Sequence, residues 1–226
     1  MLWSPNTQLL LPLENTALDY SGNARHGTVF GSGVYATKPN GGRCLYFDGT
    51  GDYVATPSFG LSGTVVVFAC WVRCKFNATI RQVLVGESTQ DPTGGYIYIQ
   101  RGENSNTVMA QYANGTGHTN LSVANYFAAP YDDAWVFCCV VWDYLGKKCY
   151  FYRNASLLST QAMAVGTPVF PATNRAKYVG TYSSSFYLLT DGYLANVQLW
   201  TLPTMPAAGQ MLANVNRLML GMNPIW

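Results

Sequence analysis

After Thr64 the chain runs through eight apolar residues without a break, Val65-Val66-Val67-Phe68-Ala69-Cys70-Trp71-Val72. Successive strand residues point to opposite faces, so a strand of this composition has to be covered on both sides. Apolar content alone does not separate such a strand from a buried helix. The β-branched residues Thr64, Val65, Val66, Val67 and Val72 decide for a strand. The chain must therefore build a sheet with no water-facing surface at its centre.

Other segments follow the same pattern with turn signals between them. Arg81 to Gly86, Gly95 to Gln100 and Thr107 to Tyr112 read as strands, and Asn114 to Asn120 reads as a Gly/Asn-rich loop. Trp135 to Trp142 and Lys148 to Arg153 flank Asp143-Tyr144-Leu145-Gly146 and predict a hairpin. Ala176 to Gly180 and Gly192 to Trp200 close the strand series. Beyond Pro203 and Pro206, the spacing of Met211, Leu212, Val215, Leu218 and Leu220 predicts a helix over Ala207 to Leu220. The tail Gly221 to Trp226 is expected to fold back and pin Trp226. No repeat or low-complexity linker is visible, so residues 1–226 read as one domain, with helix and tail from about 206 to 226.

Two turn motifs stand near the start. Asp19-Tyr20-Ser21-Gly22-Asn23 carries side chains that bond their own backbone, and Gly22 tolerates positive φ. Asp48-Gly49-Thr50-Gly51-Asp52 separates Leu45 and Phe47 from Tyr53 and reads as a hairpin turn.

Composition excludes several functions. Charged residues are 11% of the chain, net charge is +2, and no basic run exceeds Lys147-Lys148. Nucleic-acid binding needs clustered Lys and Arg, so it is not expected. No apolar stretch is long enough to span a membrane as a helix. Met1 to Asn6 lacks the basic region of a secretory signal, which predicts synthesis without export. With 16 Tyr and 6 Trp and so few charges, the surface is either covered by Ser, Thr, Asn, Gly and Tyr or buried against partners.

The six cysteines fit a reducing compartment. Cys138 and Cys139 are adjacent and face opposite sides of a strand. Cys70 and Cys74 lie about 13 Å apart on a strand, too far for a disulfide. Cys44, Cys70, Cys74, Cys138, Cys139 and Cys149 read as free, buried thiols, with Cys139–Cys149 the one pair worth checking for a bridge. The sequons at Asn77, Asn114, Asn120 and Asn154 are expected to be unmodified.

The order of these motifs resembles a laminin-G-like, concanavalin A-like domain. Phe68-Ala69-Cys70-Trp71-Val72, Trp135-Val136-Phe137 and Asp191-Gly192-Tyr193-Leu194-Ala195-Asn196-Val197-Gln198-Leu199-Trp200 are similar to three characteristic strands of that family, and the entry motifs are similar too. The resemblance implies an all-β fold, an antiparallel two-sheet jelly-roll sandwich with a short C-terminal helix. The helix and closing Asn-Pro-Ile-Trp resemble the ends of laminin-G-like proteins encoded by bacterial viruses. Where the family's closing strand often carries an acidic pair that helps hold calcium, this chain has Ala195-Asn196.

Catalysis finds little support. The family's glucanases carry Glu-x-Asp-x-x-Glu on one strand, and glycoside hydrolysis needs two facing carboxylates. The three glutamates, Glu14, Glu87 and Glu103, have no Asp two residues on. The two histidines, His26 and His118, lie in turn and loop sequence, and no Gly-x-Ser-x-Gly occurs. No cofactor is expected. Asp19, Asn23, Asp48, Asp52 and Asp191 read first as turn caps and second as conceivable calcium donors.

Recognition remains. Loops on a rigid sandwich carry variable contacts. The loop sequences supply Tyr112, Asn114 and His118, then Tyr126 and Tyr131, then Tyr182 and Tyr187, as candidates for glycan or partner contact. The expected function is that of a non-catalytic virion protein, a capsid decoration or a tail or fibre component. Its expected partners are capsid or tail subunits in a symmetric oligomeric assembly, and host glycans. A free carbohydrate-binding lectin is the alternative, and a glycoside hydrolase ranks last.

Overall fold

The computed structural model describes residues 6–38, 41–75, 81–87, 93–102, 106–182, 189, 191–222 and 224–225. Among these the strands are β1 (Thr7–Leu11), β2 (Thr28–Phe30), β3 (Tyr35–Thr37), β4 (Arg43–Phe47), β5 (Tyr53–Ala55), β6 (Val65–Cys74), β7 (Gln82–Glu87) and β8 (Tyr98–Arg101). They continue with β9 (Val108–Ala113), β10 (His118–Val123), β11 (Val136–Asp143), β12 (Lys148–Arg153), β13 (Ser156–Ala162), β14 (Lys177–Val179) and β15 (Gly192–Leu202), followed by α1 (Ala208–Met219).

The strands form the two antiparallel sheets expected of a jelly-roll sandwich. The eight-stranded sheet runs β13-β12-β11-β6-β15-β4-β3, with β1 also on β15. The seven-stranded sheet runs β10-β9-β8-β7-β14-β5-β2. Val66, Phe68, Cys70 and Val72 of β6 face the interior between the sheets, together with Phe47, Leu84, Ile99, Tyr112, Trp142 and Leu194. Val65, Val67 and Ala69 face the other way, into a second core with Trp200, Met211, Val215 and Leu218. The double-sided β6 is thus covered by the sandwich on one face and by α1 on the other.

Helix α1 begins just after Pro206 and has no side-chain cap. Met211, Val215 and Leu218 are buried on the sheet, whereas Leu212 and Leu220 point outward. Asn214 anchors the tail through paired bonds: its Oδ1 accepts from Ile225 N at 2.7 Å and its Nδ2 donates to Ile225 O at 2.9 Å. The chain therefore does fold back, although Trp226 lies outside the described residues.

Two expectations change, and one strand stands where the sequence reading placed none. The Asp48–Asp52 turn is not a hairpin: β4 pairs with β3 and β15, and β5 with β2 and β14. Gly49 and Gly51 at φ 83° and 95° let the chain step between sheets, so that Phe47 and Val54 meet the same core from opposite sides. The Asn114–Asn120 loop is shorter than expected, because His118 already opens β10 opposite Ala113. Polar β13 has no alternating apolar signal and is an edge strand held by β12.

All six cysteines are free and buried. Cys139 and Cys149 cannot bridge, because Cys139 sits in the helix-side core and Cys149 in the inter-sheet core. Burial pushes the Cys138 thiol up to about 12, which keeps it protonated and unreactive.

Leu218→Ala removes a buried side chain from the contact between α1 and the sheet. It should lower stability by about 2–5 kcal/mol, measured by urea unfolding, and leave the β-sheet circular dichroism in place.

Candidate functional site

The acidic turns are satisfied by the chain itself. Asp19 Oδ1 accepts from Leu10 N and Ser21 N at 2.9 Å each, and Oδ2 from Ser21 Oγ at 2.8 Å and Arg25 N at 2.9 Å. Its own N–H donates to His26 Nδ1 at 3.0 Å, so His26 helps close the same turn. Asn23 Nδ2 donates to Thr7 O at 2.8 Å and Ser21 Oγ at 3.0 Å. Asp52 accepts from Ser32 N at 2.6 Å, Ser32 Oγ at 2.8 Å and Asp48 N at 3.0 Å. The N–H of Thr50 donates to Asp48 at 2.6 Å and holds that carboxyl below its ordinary range. Asp191 accepts from the Tyr46 hydroxyl at 3.3 Å. Asp19 and Asn23 brace β1, Asp48 and Asp52 brace the crossover, and Asp191 precedes β15. Among the described residues, no group of three or more His, Cys, Asp or Glu side chains could hold a metal ion.

The proposed contact residues divide. Tyr112 and Tyr126 are fully buried, so neither presents a ring to a ligand. Tyr112 faces inward from β9, its hydroxyl donating to Val165 O and accepting from Val165 N, each at 3.1 Å. The Tyr126 hydroxyl donates to Tyr152 O. Alternation on β9 already placed Tyr112 on the same face as Val108 and Ala110, the one signal that could have corrected this expectation. Asn114 Oδ1 accepts from Gly117 N at 2.7 Å and from Thr116 N at 3.2 Å, which closes the β9–β10 turn. Tyr131 is half-buried under the Arg153 guanidinium, 3.9 Å from its ring centre. Tyr187 lies outside the described residues.

His118 and Tyr182 are brought to one surface, the outer face of the seven-stranded sheet. His118 packs edge-on against Tyr96 with centroids 6.5 Å apart, and Tyr182 against Tyr98 at 5.5 Å. The Tyr96 hydroxyl donates to Gln111 Oε1 at 3.3 Å, and the Tyr98 hydroxyl to Gln100 Oε1 at 2.6 Å. Gly86 lets the chain cross here, since a Cβ on it would sit 2.9 Å from Tyr182 Cα. Farther along the same face, Tyr53 stacks on Phe30 at 4.6 Å and tilts against Tyr178 at 5.8 Å. Tyr96, Tyr98, Gln100 and Gln111 are buried, while His118 and Phe30 are exposed and Tyr53, Tyr178 and Tyr182 are half-buried. Sequence reasoning missed Phe30, Tyr53 and Tyr178, because β2, β5 and β14 are three residues long and too short to show a period.

A buried ionic cluster closes one end of the sandwich. Lys177 Nζ lies 3.1 Å from Glu87 Oε1 and donates to Phe59 O at 2.8 Å and Arg175 O at 2.9 Å. Arg175 adds a longer pairing to Glu87 at 3.7 Å and also donates to Gly95 O. Burial pushes the Glu87 carboxyl up to about 7 against the opposing pull of Lys177 and Arg175. The cluster ties the Phe59, Gly95 and Arg175 segments together and, among the described residues, presents no second carboxylate to Glu87.

Two antiparallel sheets, aromatic side chains on an outer face and self-satisfied acidic turns define a lectin-like sandwich. The family model described as the concanavalin A-like lectin/glucanases superfamily (Laminin_G_3) matches residues 48–207, and the chain belongs to that superfamily. The N-terminal motif at Asp19 lies outside the matched span but inside the sandwich. No curated protein matches this sequence. Among solved structures, the botulinum neurotoxin serotype D ligand-binding domain in complex with N-acetylneuraminic acid is 12% identical with a TM-score of 0.67, over 96% of this chain and 51% of that one. The binding domain of botulinum neurotoxin DC in complex with rat synaptotagmin II is 14% identical with a TM-score of 0.66, over 94% of this chain and 52% of that one. At these identities the likeness shows the fold, and this chain spans about half the length of those structures.

Two outcomes follow from this geometry. Thermal unfolding in calcium chloride and in EDTA should coincide, because the acidic turns are filled by N–H and O–H donors; a calcium-dependent rise of several degrees would show a metal site. Unfolded Glu87 releases its proton near 4.5, whereas the folded group keeps it to about 7. Its contribution to stability is therefore full below 4.5 and is lost as pH rises towards and through about 7. Urea midpoints measured across that window should fall with rising pH in the native protein and stay flatter in Glu87→Gln.

Proposed function

We propose that this chain is a non-catalytic recognition protein of a virus particle, which holds glycans or a partner surface on the outer face of its seven-stranded sheet. The carrying observation is the composition of that face. His118, Tyr182, Tyr178, Tyr53 and Phe30 offer rings there, and Asn120 and Ser122 of β10 share it. No described strand residue on this face is Asp or Glu, so a sugar lying there would meet aromatic faces and amides without a carboxylate pair to cleave it. The toxin domains with the same fold, one bound to N-acetylneuraminic acid and one to synaptotagmin II, support recognition as the use of this architecture.

Assembly into a particle is supported by a second surface. An apolar groove of about 320 Å³ runs between the start of α1 and strands β12 and β13, lined by Tyr150, Tyr152, Leu157, Met205, Pro206 and Leu212. Leu157 and Leu212 are 49% and 41% exposed, an apolar surface that a neighbouring subunit would cover. The charge-poor composition and the C-terminal resemblance to phage-encoded relatives favour a capsid or tail subunit as that neighbour. A free lectin shares the glycan-binding face but has no need of the groove.

Mass spectrometry of purified particles should detect this polypeptide at a stoichiometry set by particle symmetry. Recombinant protein should rebind particles lacking it, and Leu157→Asp with Leu212→Asp should reduce rebinding at least tenfold. Absence from particles, with glycan binding retained, would leave the free-lectin reading.

A further inference from the structure

The eight-stranded sheet carries a strip of side chains on its outer face, beside α1, that the inter-sheet core does not take and the helix-side core meets only at Trp71. It has two adjoining parts. The first is a pocket of about 290 Å³ between the β1 and β3 ends and the C-terminal turn of α1, near the lower end of small-ligand pockets. Trp71 forms one wall, Glu14, Lys38 and Asn196 supply polar groups, and the turn at Met219 to Gly221 closes it. Trp71 is held in place by donating its indole N–H to Met219 O at 3.2 Å and by packing edge-on against Phe137 at 5.5 Å. Asn196 sits at the β15 bulge with φ 51°, fixed by its N–H to Pro12 O at 2.9 Å.

The second part is an aromatic platform one step along the same strands. Arg73 lies two residues beyond Trp71 on the same face of β6, about 7 Å away. Tyr193 of β15 pairs directly with Arg73 on one side and with Tyr46 of β4 on the other. The Tyr193 ring lies 4.9 Å from Tyr46 and 6.2 Å from Trp135, with the Arg73 guanidinium 5.4 Å from its centre. Asp133 grips Arg73 through two bonds, Nε to Oδ1 at 2.9 Å and Nη2 to Oδ2 at 3.3 Å. The Tyr46 hydroxyl donates to Asp191. All three rings are half-exposed, while Asp133 and Asp191 are exposed.

We propose that this strip is a second binding site, for a neutral oligosaccharide. Its terminal pyranose enters the Trp71 pocket, and the next ring lies on Tyr193 and Trp135. The chemistry matches at each point. A pyranose presents a face of axial C–H bonds, weakly positive at hydrogen, to the negative face of an aromatic ring. Its rim of hydroxyls needs donors and acceptors that are already oriented. In the pocket the Lys38 ammonium and the Asn196 amide donate and the Glu14 carboxylate accepts, and beside the platform the Asp191 carboxylate accepts. Charge selects against an anionic ligand: Glu14, Asp133 and Asp191 outnumber Lys38 and Arg73, and Arg73 is already gripped by Asp133. The site uses the sheet opposite to the one assigned above, so each can fail without the other.

The test is an array of defined neutral and sialylated oligosaccharides probed with the full chain, followed by titration of the best-retained neutral member. Neutral glycans should be retained. Tyr193→Ala and Trp135→Ala should each weaken binding at least tenfold, and the surface pair Glu14→Gln with Lys38→Ala at least threefold. The pair His118→Ala with Tyr53→Ala reads the face of the other sheet separately, and Leu145→Ser, in the exposed turn between β11 and β12, should change this affinity less than twofold. Thermal melts identify any variant that fails to fold, and the Glu14/Lys38 pair then decides. Retention of no neutral glycan, or of sialylated glycans alone, overturns the proposal. So does binding lost through the His118/Tyr53 pair and untouched by the strip variants, a result that would place the glycan on the seven-stranded sheet.

Discussion

The pairing of β6 with β15 is the contact on which the rest of the molecule depends. It extends from Gly192 opposite Cys74 to Leu202 opposite Val65, interrupted by the bulge at Asn196. Over Val65 to Cys70 and Val197 to Leu202 the two strands are buried on both faces, so this pair cannot exist without two separate covers. The seven-stranded sheet supplies one through Leu84, Ile99 and Tyr112. Helix α1 supplies the other through Met211, Val215 and Leu218. A two-layer sandwich would leave Val65, Val67 and Trp200 in water, so α1 is part of the core.

Once that pair is in place, the surfaces sort themselves. The inner face takes the apolar alternation, and the helix takes the middle of the outer face. What remains outside on the eight-stranded sheet is its two flanks: the apolar groove towards β13 and the aromatic strip towards β4. The bulge at Asn196 follows from the same contact. It lets one long strand pair with β1 over Val197 to Trp200 and with β4 over Gly192 to Leu194, and it opens the pocket beside Trp71.

Polar groups are used in the same economical way. Asp19 and Asp52 are buried with every N–H and O–H aimed at them bonded, so two carboxylates stabilise two chain reversals. Glu87 and Lys177 neutralise each other where three loops meet. Carboxylates such as Asp19 and Asp52 are the charges a sequence reader is inclined to assign to chemistry or calcium, and here their oxygens accept from backbone N–H groups and from the Ser21 and Ser32 hydroxyls. The aromatic residues divide by face rather than by loop. Tyr112 and Tyr126 belong to the interior, whereas Tyr53, Tyr178 and Tyr193 reach the outside from short or long strands with no loop character.

Much of the fold was legible. Unbroken apolar runs gave away β6 and β11, helical spacing gave α1, and turn residues bounded most strands. These signals are local, since burial on one or both faces leaves its period in the residues themselves. Strands β2 and β3 are three residues each and carry no period, and β13 is an edge strand held by β12. Which sheet a strand joins, as at the Asp48–Asp52 crossover, depends on contacts distant in the chain. Both proposed surfaces were decided in the same way. Tyr46, Arg73 and Tyr193 become neighbours only because β4, β15 and β6 align in one register, with Trp135 just before β11 beside them, and no spacing along a chain records a contact that hydrogen bonding between strands creates.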